Sequence, residues 1–130
     1  MKNLIKSIRI LLALVFMFLV FPMPGHCEVD PVPVFCLAGW IPACSGYTRI
    51  SNGNIIYKLY GSYIDGGGKR YHLYGSYIAE GANRYRIYGS YIDGGGKRYH
   101  LYGSYIAEGA NRYRIYGSYM DVGSTRYRFY

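Results

Sequence analysis

The chain is poor in the side chains on which most enzymes depend. It holds 3 histidines, 3 cysteines, 1 tryptophan and 7 acidic residues in 130 positions. After the first 27 residues the imidazoles are His72 and His100, copies of one repeat position where other repeats carry Arg. A position that accepts either His or Arg suits a polar face better than a general base. The acids are Glu28, Asp30, Asp65, Glu80, Asp93, Glu108 and Asp121. The last five recur at equivalent or adjacent repeat positions, inside turn-forming sequence, and are expected to be solvated turn caps. Paired carboxylates for glycoside chemistry need a cleft between them. Ser62, Ser76, Ser90, Ser104 and Ser118 recur with no dedicated base beside them and read as small strand residues. Gly66-Gly67-Gly68 and Gly94-Gly95-Gly96 lack the Walker pattern and the strand-to-helix context of a phosphate loop. These absences point away from an enzyme, a cofactor or a metal.

A long apolar run is also missing. Ile10–Phe21 is an unbroken apolar stretch of 12 residues, closed by Pro22 and Pro24 and preceded by Lys2, Lys6 and Arg9. A membrane-spanning helix needs about 20 residues, whereas a secretory signal has an apolar core of about 7–15. Residues 1–27 therefore read as a signal peptide with cleavage after Gly25 or Cys27. The bulky His26 argues against lipidation of Cys27. Secretion, to the periplasm or the cell surface, is the expected location. Without Lys2, Lys6 and Arg9, the remaining 12 Lys/Arg outnumber 7 Asp/Glu, a net charge of about +5.

Residues 28–45 read as a linker or clip. Cys36 and Cys44 lie in it, and an exported pair of cysteines is expected to be oxidised. Two cysteines with no nearby His or Cys partner make an incomplete zinc site.

What the chain does have is tyrosine and glycine, 18 of each, with every tyrosine after residue 46. Residues 46–130 form a tyrosine-rich repeat domain with a period of 14. Clear units start at Tyr60, Tyr74, Tyr88, Tyr102 and Tyr116, and residues 60–87 and 88–115 are identical over 28 positions. Residues 46–59 are a degenerate unit, carrying Ile50, Gly53, Tyr57, Lys58 and Leu59 at matching places. The last unit drifts at Met120, Val122, Ser124, Thr125 and Phe129, as outer units of repeat arrays do.

Within a unit, Arg70 to Ile78 is rich in aromatic and β-branched residues and reads as one strand. Asp65–Lys69 and Ala79–Asn83 carry turn chemistry centred on Gly67 and Gly81. One strand and one short turn per unit predict an all-β, antiparallel meander of about six strands, free to curl into a shallow barrel. Folding about each central Gly pairs Tyr63 with Tyr71, Ser62 with His72, Gly61 with Leu73 and Tyr60 with Tyr74. Alternation puts Tyr71, Leu73, Gly75 and Tyr77 on an apolar face, and Arg70, His72, Tyr74, Ser76 and Ile78 on a basic one. A bulge at Gly75 would exchange the faces beyond it. The apolar face needs cover. Curling, another copy, or a lid made by Phe35, Leu37, Trp40 and Ile41 would supply it.

The interleaving of Arg and Tyr is the strongest binding signal. Arg70, Tyr74, Arg84, Arg86, Tyr88, Arg98, Tyr102, Arg112 and Arg114 are the candidate binding residues. Arg pairs with carboxylate or phosphate, and aromatic rings stack on sugars or bases. Export disfavours nucleic acid, so an anionic polysaccharide or lipid head group is the expected partner, with self-association as a further option. The competing use of these residues is structural, with Tyr packing the sheet and Arg keeping it soluble and its edges unpaired.

The Tyr63-Ile64-Asp65-Gly66-Gly67 turn core, returning through Tyr74-Gly75, resembles the units of bacterial β-flower-type tandem β-hairpin repeat proteins over residues 46–130. The resemblance implies hairpins radiating around an axis as a shallow barrel, in an exported bacterial protein with a likeness to lipid-binding tubby-type barrels. MORN repeats also pair Tyr with Gly, but their Gly-x-Gly ending is absent, and the Trp of choline-binding repeats is missing from the array. Arg126-Tyr127-Arg128-Phe129-Tyr130 is similar to the C-terminal strand of outer-membrane β-barrels. Six strands fall short of the minimum of about eight, so that alternative requires oligomerisation.

Overall fold

The computed structural model describes residues 29–130. The expected signal peptide at 1–27, with Cys27, lies outside the described residues. The chain from Val29 onward opens with a short helix α1, Val32–Leu37, and a 3₁₀ turn at Pro42–Cys44. Twelve strands follow: β1 Arg49–Ser51, β2 Ile56–Tyr60, β3 Tyr63–Gly66, β4 Lys69–Tyr74, β5 Tyr77–Glu80, β6 Asn83–Ile87, β7 Tyr91–Gly94, β8 Lys97–Tyr102, β9 Tyr105–Glu108, β10 Asn111–Ile115, β11 Tyr119–Val122 and β12 Thr125–Phe129. Each pairs antiparallel with its neighbours in sequence, and β12 returns to β1 to close a barrel. The all-β meander curled into a barrel is thus the observed architecture.

The strand count is twice the expected six. Each 14-residue unit makes two strands, because Tyr74-Gly75-Ser76-Tyr77 is a tight turn and not the middle of a strand. Tyr74 pairs with Tyr77, leaving Gly75 and Ser76 as a two-residue loop. Gly75 has φ +65°, and Ser76 has no positive φ. Glycine at the first central position is what a type II′ hairpin turn requires, and its twist matches that of the strands. The repeated serines are therefore turn residues. Closure with twelve strands also removes the need for a second copy to complete the wall.

The register is shifted by one residue from that expected. Ile64 faces Tyr71, Tyr63 faces His72, and Gly66 faces Lys69. The cause is a two-residue turn at Gly67-Gly68, both with positive φ, in place of a turn centred on one glycine. Asp65, Glu80, Asp93, Glu108 and Asp121 consequently belong to strands and are not turn caps. Tyr60 stacks on Tyr63 and Tyr74 on Tyr77, so no ladder joins Tyr60 to Tyr74.

The faces hold as far as Leu73 and exchange after the Gly75 turn. Tyr71 is buried, but beyond the turn Ile78 is the inward residue and Tyr77 lies outside. Ile50, Ile64, Ile78, Ile92, Ile106 and Met120 alternate around the inside with Tyr57, Tyr71, Tyr85, Tyr99, Tyr113 and Tyr127. Degenerate and drifting units thus keep the inward chemistry.

The barrel is filled by α1. Residues 32–37 are all buried, with Phe35 wholly so. Asp30, Pro31 and Pro33 are helix-start chemistry, and the Asp30 carboxylate accepts from the Val32 N–H at 3.0 Å. Phe35 meets the edges of Tyr85 and Tyr99 at 5.5 and 5.3 Å and stacks with Trp40 at 5.8 Å. The chain enters at the rim of Gly-turns, where Val29 lies by Gly67, and leaves at the opposite rim, where Trp40 Nε1 donates to the Gly75 carbonyl at 3.2 Å. The segment expected to be a lid is thus a plug along the axis. Cys36 and Cys44 form a disulfide that ties the helix to the 3₁₀ turn.

One glycine is required by packing. Gly94 faces inward beneath Tyr85, and a Cβ there would meet that ring and lie 2.7 Å from the Arg84 carbonyl. Gly94→Ala is expected to destabilise by about 1–3 kcal/mol, read as a shift in the urea midpoint. A change of under a few tenths would show that β6 and β7 separate at this point without cost.

Candidate functional site

The outer wall carries the polar chemistry, and the register sorts it into two kinds of hairpin. In one kind, Asp65 faces Arg70, Asp93 faces Arg98 and Asp121 faces Arg126. Each pair is a bidentate bridge, with both contacts between 2.7 and 3.0 Å. Each guanidinium also lies over a tyrosine, Arg70 at 4.2 Å from Tyr63, Arg98 at 4.3 Å from Tyr91 and Arg126 at 4.1 Å from Tyr119. The hydrogen bonds from arginine hold all three carboxyls below the usual aspartate range.

In the other kind the aspartate is replaced by alanine. Ala79 lies between His72 and Arg84, and Ala107 between His100 and Arg112. Arg86 stands next along β6, facing Asp93 on β7, and Arg114 along β10, facing Asp121 on β11. Both aspartates are taken up by their bridges to Arg98 and Arg126. Arg84 and Arg86 flank the Tyr77 ring at 5.4 and 5.2 Å, and Arg114 lies 5.8 Å from Tyr105. Among the described residues, Arg84, Arg86, Arg112 and Arg114 have no carboxylate partner. These two clusters of Arg, His and Tyr are copies of one site, because the 28-residue blocks that make them are identical.

The candidate residues read from the sequence all reach the outer wall. Arg84, Arg86, Arg112 and Arg114 come together as described. Arg70 and Arg98 are neutralised by their bridges, which a linear reading does not reveal. Tyr74, Tyr88 and Tyr102 are half exposed at the Gly-Ser rim, each stacked on the tyrosine three residues later at 4.9–5.1 Å. His72, His100, Tyr77 and Tyr105 were not among the candidates. The available signal was the replacement of Asp65 and Asp93 by Ala79 and Ala107 in alternate units.

The Gly-turn rim around the entering chain is built differently. Asp30 sits partly buried there, accepting through Oδ2 from the Tyr127 hydroxyl at 3.2 Å, while its backbone carbonyl accepts from Tyr57 at 2.9 Å. Burial pushes its carboxyl above the usual range, opposed by the bond from the Val32 N–H. Lys69 bridges Glu80 at 3.4 Å and Lys97 bridges Glu108 at 3.8 Å on the same rim. Two small clefts of about 150 and 170 Å³ lie between these residues and Val29-Asp30-Pro31. Asp30 seals the end of the barrel, with its carboxylate already engaged by the helix and by tyrosine.

No protein-family model, curated protein or solved structure matches the chain.

Proposed function

We propose that this chain is an exported, non-catalytic β-repeat protein of the cell envelope that contacts anionic glycan or lipid head groups through its outer Tyr/Arg wall. The observation that carries this is the pair of basic clusters, His72-Arg84-Arg86 and His100-Arg112-Arg114, whose arginines form no ion pair among the described residues. The facing Asp93 and Asp121 are bridged to Arg98 and Arg126, and each cluster is set around a tyrosine stack. Arginines held in no ion pair can pair bidentately with carboxylate, sulfate or phosphate. The neighbouring Asp–Arg bridges contrast with them on the same wall. The signal-like N-terminus supports export, and the resemblance to β-flower-type proteins supports a bacterial envelope setting.

The alternative, a subunit of an outer-membrane barrel, has less support. A spanning strand needs about 9–11 residues and an apolar outer band. The strands here have 3–6 residues, and their outward positions carry Arg, Asp, His and Lys.

Replacing Arg84, Arg86, Arg112 and Arg114 together by Ser is expected to weaken binding to polygalacturonate or to phosphatidylglycerol vesicles by about tenfold or more, from the loss of charge-assisted contacts. Binding should also fall with added salt. Affinity unchanged in the quadruple variant would remove the basic wall from the function.

A further inference from the structure

We propose that the barrel carries three anion sites spaced around its wall, and that their ligand is an acidic polysaccharide held through several segments at once. This rests on the function proposed above and specifies the ligand and its stoichiometry.

Two of the sites are the clusters already described. The third is assembled at the closing seam, where β12 meets β1 and β1 meets β2. There Arg128 faces Ser51, Ser51 faces Ile56, and Arg49 faces Lys58. Counting by 28 residues, Arg128 takes the place of His72 and His100, and Lys58 that of Arg86 and Arg114. Ser51 takes the place of Ala79 and Ala107, so no acid stands at this position, and Asp65, which faces Lys58, is bridged to Arg70. Ile56 replaces one arginine, while Arg49 replaces Tyr77 and Tyr105 and restores the charge. The Arg49 guanidinium lies over the Tyr130 ring at 4.4 Å. Thr48, Arg49, Lys58, Leu59, Tyr60 and Tyr130 line a shallow depression of about 350 Å³ at this point. Among the described residues, Arg49, Lys58 and Arg128 have no ion-pair partner.

The sites alternate with the three bridged hairpins of Asp65, Asp93 and Asp121. Neighbouring sites are four strands apart in a closed ring of twelve, one third of the way round. At about 4.8 Å per strand they are roughly 19 Å apart along the wall.

This placement discriminates between ligands. Sites facing three directions from a closed wall cannot all meet one plane, so a bilayer would engage one of them. A flexible chain of acidic sugars can follow the wall from site to site, or separate chains can occupy different sites and be cross-linked. Each site also has exposed aromatic surface, Tyr74 stacked on the half-buried Tyr77, Tyr102 on the half-buried Tyr105, and Tyr130, on which a sugar ring can lie beside the paired acid. Engaging more than one site makes the later contacts intramolecular and raises avidity without new contacts.

The test is calorimetric titration of the protein with trigalacturonate, followed by light scattering with long polygalacturonate. Three trisaccharides per chain are expected. Arg84→Ser with Arg86→Ser should reduce this to two, and Arg112→Ser with Arg114→Ser should do the same, with far-UV circular dichroism unchanged. Scattering should rise with added polymer and fall again when polymer is in excess, as cross-links are diluted out. One trisaccharide per chain, or a stoichiometry that neither double variant lowers, would overturn the three-site proposal while leaving an anion-binding wall in place. Binding to phosphatidylglycerol vesicles without binding to either galacturonate would overturn the choice of glycan. Binding to none of these would remove the proposed function together with this inference.

Discussion

Replacing Phe35 by Ala is expected to cost about 3–5 kcal/mol of unfolding free energy. The ring is wholly buried on the axis, between Tyr85, Tyr99 and Trp40. Its removal leaves a void bounded by strands whose backbone groups are committed to a closed ladder. Such a wall cannot move inward without breaking hydrogen bonds, so relaxation is limited and the cavity cost stays high. A domain of this size has a total stability of about 5–15 kcal/mol, so the loss is a large share of it. Urea unfolding followed by circular dichroism measures the effect, with Phe35→Leu as a smaller-volume comparison. A loss below about 1 kcal/mol for the alanine variant, against the typical range for buried Phe, would mean that the barrel stands without its plug.

Raising the pH above about 10, the ordinary tyrosine value, is expected to destabilise the fold steeply. Burial pushes the hydroxyls of Tyr57, Tyr71, Tyr113 and Tyr127 well above that value. The unfolded chain releases these protons near the ordinary value while the folded chain keeps them. Stability is therefore fully present below that pH and falls as pH rises beyond it, by up to about 1.4 kcal/mol per pH unit for each ring. Four rings together give an upper limit of about 5.6 kcal/mol per unit, enough to unfold the domain within about one to three units. Tyrosinate absorbance from these rings should appear together with loss of the far-UV β signal. Complete tyrosine ionisation with that signal intact would show that the inner hydroxyls reach water in the folded state.

Much of the wall was legible one residue at a time. Tyr71 and Leu73 were placed inward by alternation, and the degenerate unit at 46–59 was recognised from Ile50 and Tyr57, both of which are buried. The turn at Gly75-Ser76 was also available, since Gly-Ser between two tyrosines is two-residue hairpin chemistry. Nine consecutive residues of strand-like composition, Arg70 to Ile78, conceal it. A single strand through this turn halves the strand count and exchanges the faces of Tyr77 and Ile78. The bridge from Asp65 to Arg70 depends on the register, so a one-residue shift concealed which arginines are neutralised. In the plug, Pro31 and Pro33 signalled a helix start, yet a six-residue helix has too few positions to show a period.

The tandem tyrosine-rich repeats, the turns at Gly67 and Gly81 and the inward placement of Tyr71 are properties of neighbouring residues, and the sequence alone determined them. Closure, the axial helix and the third basic cluster join residues far apart in the chain. Arg128 and Ser51 become neighbours only because twist and coiling accumulated over twelve strands bring β12 back to β1, around a helix of the right girth. No local pattern encodes that sum, so the tertiary structure decided it.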